Sequence, residues 1–118
     1  MLGLDKSYLY TYGIDTDDIA GLIPYGVHTI THFMVRSKLV LKWKDVRVDK
    51  MSPLAHIRKD APPIILITGD RKLELYGKYE ENAYFWRMFK SIGHPLVELY
   101  GLEGYNHGDM AQPARYIY

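Results

Sequence analysis

The sequence predicts an α/β fold, and three observations carry that prediction. Ile64-Ile65-Leu66-Ile67-Thr68 is a continuous β-branched and apolar run; Phe85, Met88, Phe89 and Ile92 recur at helical spacing within Tyr79 to Ile92; Leu96-Val97-Glu98-Leu99-Tyr100 is a second apolar run. An uninterrupted apolar run fits a strand buried on both faces of a parallel sheet, and the 3.6 period fits a helix packed on one side. A strand, helix, strand order makes the two strands parallel, because the helix returns the chain to the same sheet end.

Taken in order, Leu4 to Tyr12 reads as a short tyrosine-rich helix stopped by Gly13, a residue suited to the position after a helix end. Asp15-Thr16-Asp17-Asp18 offers capping oxygens, and Ala20 to Ile23 reads as a short buried strand that Pro24 ends. His28 to Val35 is apolar enough for helix or strand and settles neither; residues 24 to 50 read as a cap or insertion. Lys38 to Val48 alternates basic and apolar residues. Ser52-Pro53-Leu54-Ala55-His56-Ile57 predicts a short helix with Ser52 as N-cap and Pro53 at its first position. Gly69-Asp70 ends the first long strand, and Gly93 and Pro95 stop the long helix.

At 118 residues the chain holds one domain, residues 1–118, against roughly 100 to 200 residues per domain. Hydrophobic residues make up 47% and charged residues 25%, enough apolar surface to fold. Fifteen basic against 14 acidic residues leave +1, too weak a field to hold a nucleic acid. Zero cysteines remove disulfides, cysteine-ligated zinc and thiol nucleophiles. No apolar run approaches the roughly 18 residues of a membrane span, and Met1-Leu2-Gly3-Leu4-Asp5 lacks the basic start of a signal peptide. The chain therefore reads as soluble, with its compartment open.

In open parallel sheets, chemistry sits in loops beyond the carboxyl ends of the strands. Those loops are Gly69-Asp70-Arg71-Lys72-Leu73-Glu74 and Gly104-Tyr105-Asn106-His107-Gly108-Asp109. A carboxylate from one and an imidazole from the other would suit the acid and histidine of a nucleophilic triad, the acid holding the histidine's tautomer. The structural alternatives stand beside this: Asp70 or Glu74 as a cap or ion pair, His107 as a solvated loop residue.

His28 and His32 are spaced i, i+4, as in some zinc sites, but Thr29 stands where the general-base glutamate belongs and a third ligand is missing. The Asp15 to Asp18 cluster lacks the glycine and closing glutamate of a calcium loop. Arg36, Lys38, Lys42, Lys44 and Arg47 interleave with Trp43, yet Asp45 and Asp49 dilute the patch, which reads as a solvated face. None of the four serines, Ser7, Ser37, Ser52 and Ser91, lies in Gly-x-Ser-x-Gly, the strained turn that exposes a hydrolase nucleophile.

An ordered set of short segments carries a resemblance. Ser52-Pro53-Leu54 with His56, Ala61-Pro62-Pro63, Gly69-Asp70, Tyr79-Glu80-Glu81-Asn82-Ala83, Gly93-His94 and Gly104-Tyr105-Asn106-His107-Gly108-Asp109-Met110 together resemble the C-terminal part of α/β-hydrolase fold esterases and lipases, across most of residues 20 to 113. The resemblance implies a partial α/β-hydrolase fold: about three mainly parallel strands with flanking helices, without the N-terminal strands and the nucleophile elbow. His107 falls on the family's histidine, in an acid- and histidine-bearing end at 61–113. The family acid usually lies about three residues after the glycine that ends the penultimate long strand, which here is Lys72. A lysine cannot do that work, and Glu74 and Asp70 flank it as substitutes.

The same resemblance implies a small-molecule ester substrate, no cofactor and no metal, with Tyr25, His28, His32 and Phe33 lining an acyl or alcohol site. It further implies that the apolar start, Met1-Leu2-Gly3-Leu4, falls just after a missing nucleophile, so that the chain alone is inactive. An edge left open at Ala20 to Ile23, or an uncovered apolar face, would then drive self-association. The alternative from another class is a noncatalytic α/β binding or assembly module that uses its tyrosines and tryptophans for contact.

Overall fold

The computed structural model describes residues 1–40, 42, 45–75, 77–114 and 116. Trp43 and Lys44, members of the basic stretch, lie outside them. The helices are α1, Ser7–Tyr10; α2, Phe33–Lys38; α3, Lys78–Ser91; and α4, Ala111–Ala114, with 3₁₀ turns at Thr16–Asp18 and Pro53–His56. The strands are β1, Ile64–Gly69, and β2, Val97–Leu102, which pair in parallel from Ile64 opposite Val97 to Gly69 opposite Leu102. No helix among the described residues is long and apolar enough to cross a membrane.

β1 is the centre of the molecule. Leu66, Ile67 and Thr68 are fully buried, as a strand flanked on both edges requires. β2 covers one edge. The other carries the segment from Leu22 to Gly26, which bridges β1 in parallel at Leu22 with Ile64 and Tyr25 with Ile67. Leu22 donates to the Pro63 carbonyl, its own carbonyl accepts from Ile65, the Pro24 carbonyl accepts from Ile67, and Gly26 donates to the Ile67 carbonyl.

The expected strand at Ala20 to Ile23, ended by Pro24, is thus corrected. Pairing runs on through Pro24 to Gly26, but proline has no N–H, so the ladder loses one bond at its middle and the segment forms bridges rather than a strand. The sheet among the described residues has two strands. On the outer side of this segment, the backbone groups of Gly21 and Ile23 meet no backbone partner among the described residues.

α3 packs on both strands. Phe85 and Phe89 are buried against Leu4, Ala61, Ile64, Leu66 and Val97, with ring centroids 5.0 Å apart at 76°, the edge-to-face arrangement that aromatic quadrupoles favour. Met88 is half-buried and Ile92 is 39% exposed. The buried stripe instead runs Lys78, Asn82, Phe85, Phe89, so its first two turns are polar. Gly93, at φ 76°, closes the helix, and His94 donates to the Phe89 carbonyl, a left-handed glycine cap.

The remaining segments are tied down by polar side chains. Arg58 donates to the Leu4 carbonyl at 3.0 Å and to Thr16 Oγ1 at 3.1 Å, and pairs with Asp17 at 2.6 Å. Between residues 29 and 54, Thr31 Oγ1 donates to Asp49 at 2.7 Å and lies 2.8 Å from Ser52 Oγ. Ser52 begins the Pro53–His56 turn, yet its side chain does not cap it. The hydroxyl is buried and instead accepts from the Asp49 N–H at 2.9 Å, so the expected capping role is replaced by a loop-to-loop bond.

Candidate active site

Because Gly69 sits opposite Leu102, the loops that follow β1 and β2 begin side by side. Asp70 laces them together. Its N–H donates to the Tyr105 carbonyl at 2.8 Å, and its carboxylate accepts from the Gly104 N–H at 2.9 Å and the Lys72 N–H at 2.8 Å. Those two bonds, with Gly104 the stronger influence, hold its acid below the usual carboxylate range. The approach of the loops is close enough to exclude a side chain at Gly69, where a Cβ would stand 2.6 Å from the Tyr105 carbonyl oxygen.

The Asp70 carbonyl accepts from the Glu74 N–H at 2.7 Å, closing a turn that swings Glu74 back under the strand end. The Glu74 side chain is 1% exposed. One oxygen, Oε2, accepts from the Gly69 N–H at 3.0 Å and Thr68 Oγ1 at 3.4 Å; the other, Oε1, accepts from the Leu75 N–H at 2.8 Å. Oε1 also stands 2.9 Å from His107 Nδ1. Burying a carboxylate is costly unless its oxygens find partners, and those of Glu74 accept from the Gly69 and Leu75 N–H groups and the Thr68 hydroxyl.

His107 is presented by a turn that Asn106 organises. Asn106 Oδ1 accepts from the Gly108 and Asp109 N–H groups at 2.7 and 3.1 Å, and Nδ2 donates to Asp109 at 2.8 Å. The imidazole is 39% exposed, while Nδ1 is shielded and makes no aligned hydrogen bond among the described residues. Glu74 Oε1 is at bonding distance from Nδ1 but off the N–H axis. Behind the ring lies Gly26, buried at φ +47°, where a Cβ would come within 2.8 Å of His107 Cε1 and would meet the Met110 methyl.

Of the two carboxylates expected from the sequence, the structure brings Glu74 to His107 and engages Asp70 between the loops. Tyr25 precedes Gly26 and bridges β1 at Ile67. His28, His32 and Phe33 form one ring cluster, with His28 4.6 Å from His32 and His32 4.2 Å from Phe33. His32 Nδ1 caps α2 by accepting from the Met34 N–H at 3.2 Å. Burial, reinforced by the neighbouring His28, pushes the His32 imidazole below its ordinary value. His28 Nδ1 faces Glu81 Oε2 at 3.7 Å. No group of three metal-ligating side chains occurs among the described residues.

Sequence reasoning missed Gly26, Lys78 and Asn82. Asn82 is fully buried and donates to the Val27 and Lys78 carbonyls, both at 2.9 Å. Lys78, 4% exposed, donates to the Gly26 carbonyl at 2.8 Å. The available signal was positional: both occupy the α3 stripe that contains Phe85 and Phe89, where a solvated lysine and asparagine are not expected.

No protein-family model and no curated protein matches the chain. Two solved structures do. Esterase 2 of Thermogutta terrifontis, phosphoramylated by tabun, is 25% identical with a TM-score of 0.59, over 82% of this chain and 34% of that one. The propionate-bound thermophilic esterase Est2 of the same planctomycete is 24% identical with a TM-score of 0.58, over 82% of this chain and 36% of that one. The chain therefore spans about a third of the length of the esterases it matches, and resembles part of an esterase fold.

Proposed function

We propose that this chain carries the acid and histidine of a serine esterase or lipase site, with Glu74 as the acid and His107 as the general base, and that the nucleophile is not among its residues. The observation that carries the reading is the 2.9 Å separation of Glu74 Oε1 and His107 Nδ1 at the ends of adjacent parallel strands, where such sheets place their chemistry.

In that role His107, through Nε2, takes the proton of an attacking serine hydroxyl and later returns one to the leaving alcohol. Glu74 keeps Nδ1 protonated and stabilises the imidazolium that forms. Tyr25, His28, His32 and Phe33 stand as candidates to line the acyl or alcohol side. The hydroxyls of three serines are engaged away from His107: Ser7 bonds Asp5, Ser52 lies 2.8 Å from Thr31 Oγ1, and Ser91 bonds the Arg87 carbonyl. The missing elbow also leaves a second reading, a noncatalytic α/β binding module, in which Glu74 and His107 would be a structural pair.

Hydrolysis of a short-chain nitrophenyl ester by the purified chain tests the proposal. The expected result is no serine-dependent turnover and no serine labelled by a fluorophosphonate. Turnover that vanishes in both His107→Ala and one of the serine-to-alanine variants would overturn the missing nucleophile.

A further inference from the structure

Three side chains on one face of α3 hold the backbone at three points between residues 26 and 29: Lys78 donates to the Gly26 carbonyl, Asn82 donates to the Val27 carbonyl, and Glu81 Oε2 accepts from the Thr29 N–H at 3.1 Å. Positions 78, 81 and 82 are neighbours at i, i+3 and i+4 on a helix surface. Gly26 is fixed from its other side as well, donating to the Ile67 carbonyl at 2.7 Å. It is pinned between α3 and β1, with the His107 ring against its bare Cα.

A buried lysine at this place needs a reason. Removing an ammonium from water is expensive, and burial does push Lys78 below its ordinary range, opposed by the carboxylates of Glu81 and then Glu74. An apolar residue would fill the space more cheaply but would leave the Gly26 carbonyl without this donor. The charged groups that act on Lys78 come from both sides of the pair: Glu81 from α3 itself, and Glu74 from the loop after β1.

We propose that Lys78 and Gly26 are positioning residues for His107: the ammonium fixes the Gly26 carbonyl, and the Cα of Gly26 forms the wall that keeps the imidazole turned toward Glu74. This rests on the reading of Glu74 and His107 as an acid–histidine pair. The ring is attached to an exposed turn and is 39% exposed. The turn organised by Asn106 sets where the ring begins, and Gly26 stands against its Cε1–Nδ1 edge, where a built Cβ would lie 2.8 and 2.9 Å from those atoms.

The side-chain nitrogens of His107, read by long-range proton–nitrogen correlation at a pH where the ring is neutral, test this in the whole chain. Wild type is expected to favour the Nδ1–H tautomer. In Lys78→Met and in Gly26→Ala the ratio of Nδ1–H to Nε2–H should fall by about tenfold, the equivalent of one hydrogen bond lost. Phe89→Leu, which loosens the core away from the loop, should leave it unchanged. A ratio unaltered in a folded Lys78→Met or in Gly26→Ala, or lowered equally in Phe89→Leu, overturns the positioning role. Should Lys78→Met fail to fold, Gly26→Ala decides by the same reading. Glu74→Gln separates the two ideas. If it lowers the ratio and Gly26→Ala does not, only the positioning role fails; if the wild type shows no preference, the acid–histidine reading fails with it.

Discussion

Glu74 and His107 lie 33 positions apart in the sequence, yet Glu74 Oε1 and His107 Nδ1 are 2.9 Å apart in the fold. The parallel pairing of β1 and β2 accounts for the meeting. It starts both loops at one sheet edge, and Asp70 then ties the loops to each other, so the two side chains are delivered by backbone rather than by mutual attraction. Glu74 is fixed by the Gly69 and Leu75 N–H groups and the Thr68 hydroxyl before any histidine is considered. That order matters chemically, since a carboxylate already held in place loses little entropy in orienting an imidazole.

Asp70→Ala should loosen this arrangement without removing the acid. Its carboxylate is held below the usual range by the Gly104 and Lys72 N–H groups. A depressed folded-state value means the contribution is fully present above the unfolded value of about 3.9 and is lost as pH falls through the folded value. Urea unfolding should therefore show the variant less stable than wild type at pH 6, with the difference vanishing well below pH 4. A difference that grew on acidification would contradict the assignment.

Phe89 is fully buried between Phe85 and the His94 ring, with both centroids at 5.0 Å. Phe89→Ala should cost about 3 to 5 kcal/mol by lost transfer energy and residual cavity, a large share of a small domain's stability. The urea midpoint reads it directly. A cost under about 1 kcal/mol would mean that α3 is not packed as described.

The outer edge at Gly21 and Ile23 leaves backbone groups unpaired among the described residues, and Ile23 and Leu2 are 41% and 58% exposed. An open edge beside apolar side chains is a template for another chain. Light scattering should give the purified protein a mass above the 13.7 kDa of one chain, and Ile23→Lys should return it toward that value, because an edge lysine resists pairing. A wild-type monomer that unfolds cooperatively would refute the edge as an association site.

Much of this fold was legible because its signals are local. Ile64 to Thr68 is apolar without interruption, Gly93 and Pro95 bracket the end of a helix, and both loops of the site follow directly. The acid was harder, for the expected place after Gly69 holds Lys72, and Asp70 and Glu74 were equal candidates by spacing. Only the turn closed by the Asp70 carbonyl decides which one faces inward, and a turn of that kind leaves no periodic mark. Pro24 misled in the opposite direction. Its missing N–H reads as a stop, but its carbonyl still pairs with Ile67, so the bridged segment continues to the glycine that backs His107. Lys78 and Asn82 belong to residue types found on surfaces, so only their place on the stripe with Phe85 and Phe89 marks them as buried, and their partners are backbone carbonyls that no sequence pattern records.

The most direct test of the central claim is the far-downfield proton spectrum of the His107 side chain. A buried Nδ1 proton facing a carboxylate exchanges slowly and is strongly deshielded. Such a resonance is expected in wild type and in Asp70→Asn, and its loss in Glu74→Gln and in His107→Ala. A resonance that survives in Glu74→Gln, or disappears in Asp70→Asn alone, would contradict the pairing of Glu74 with His107.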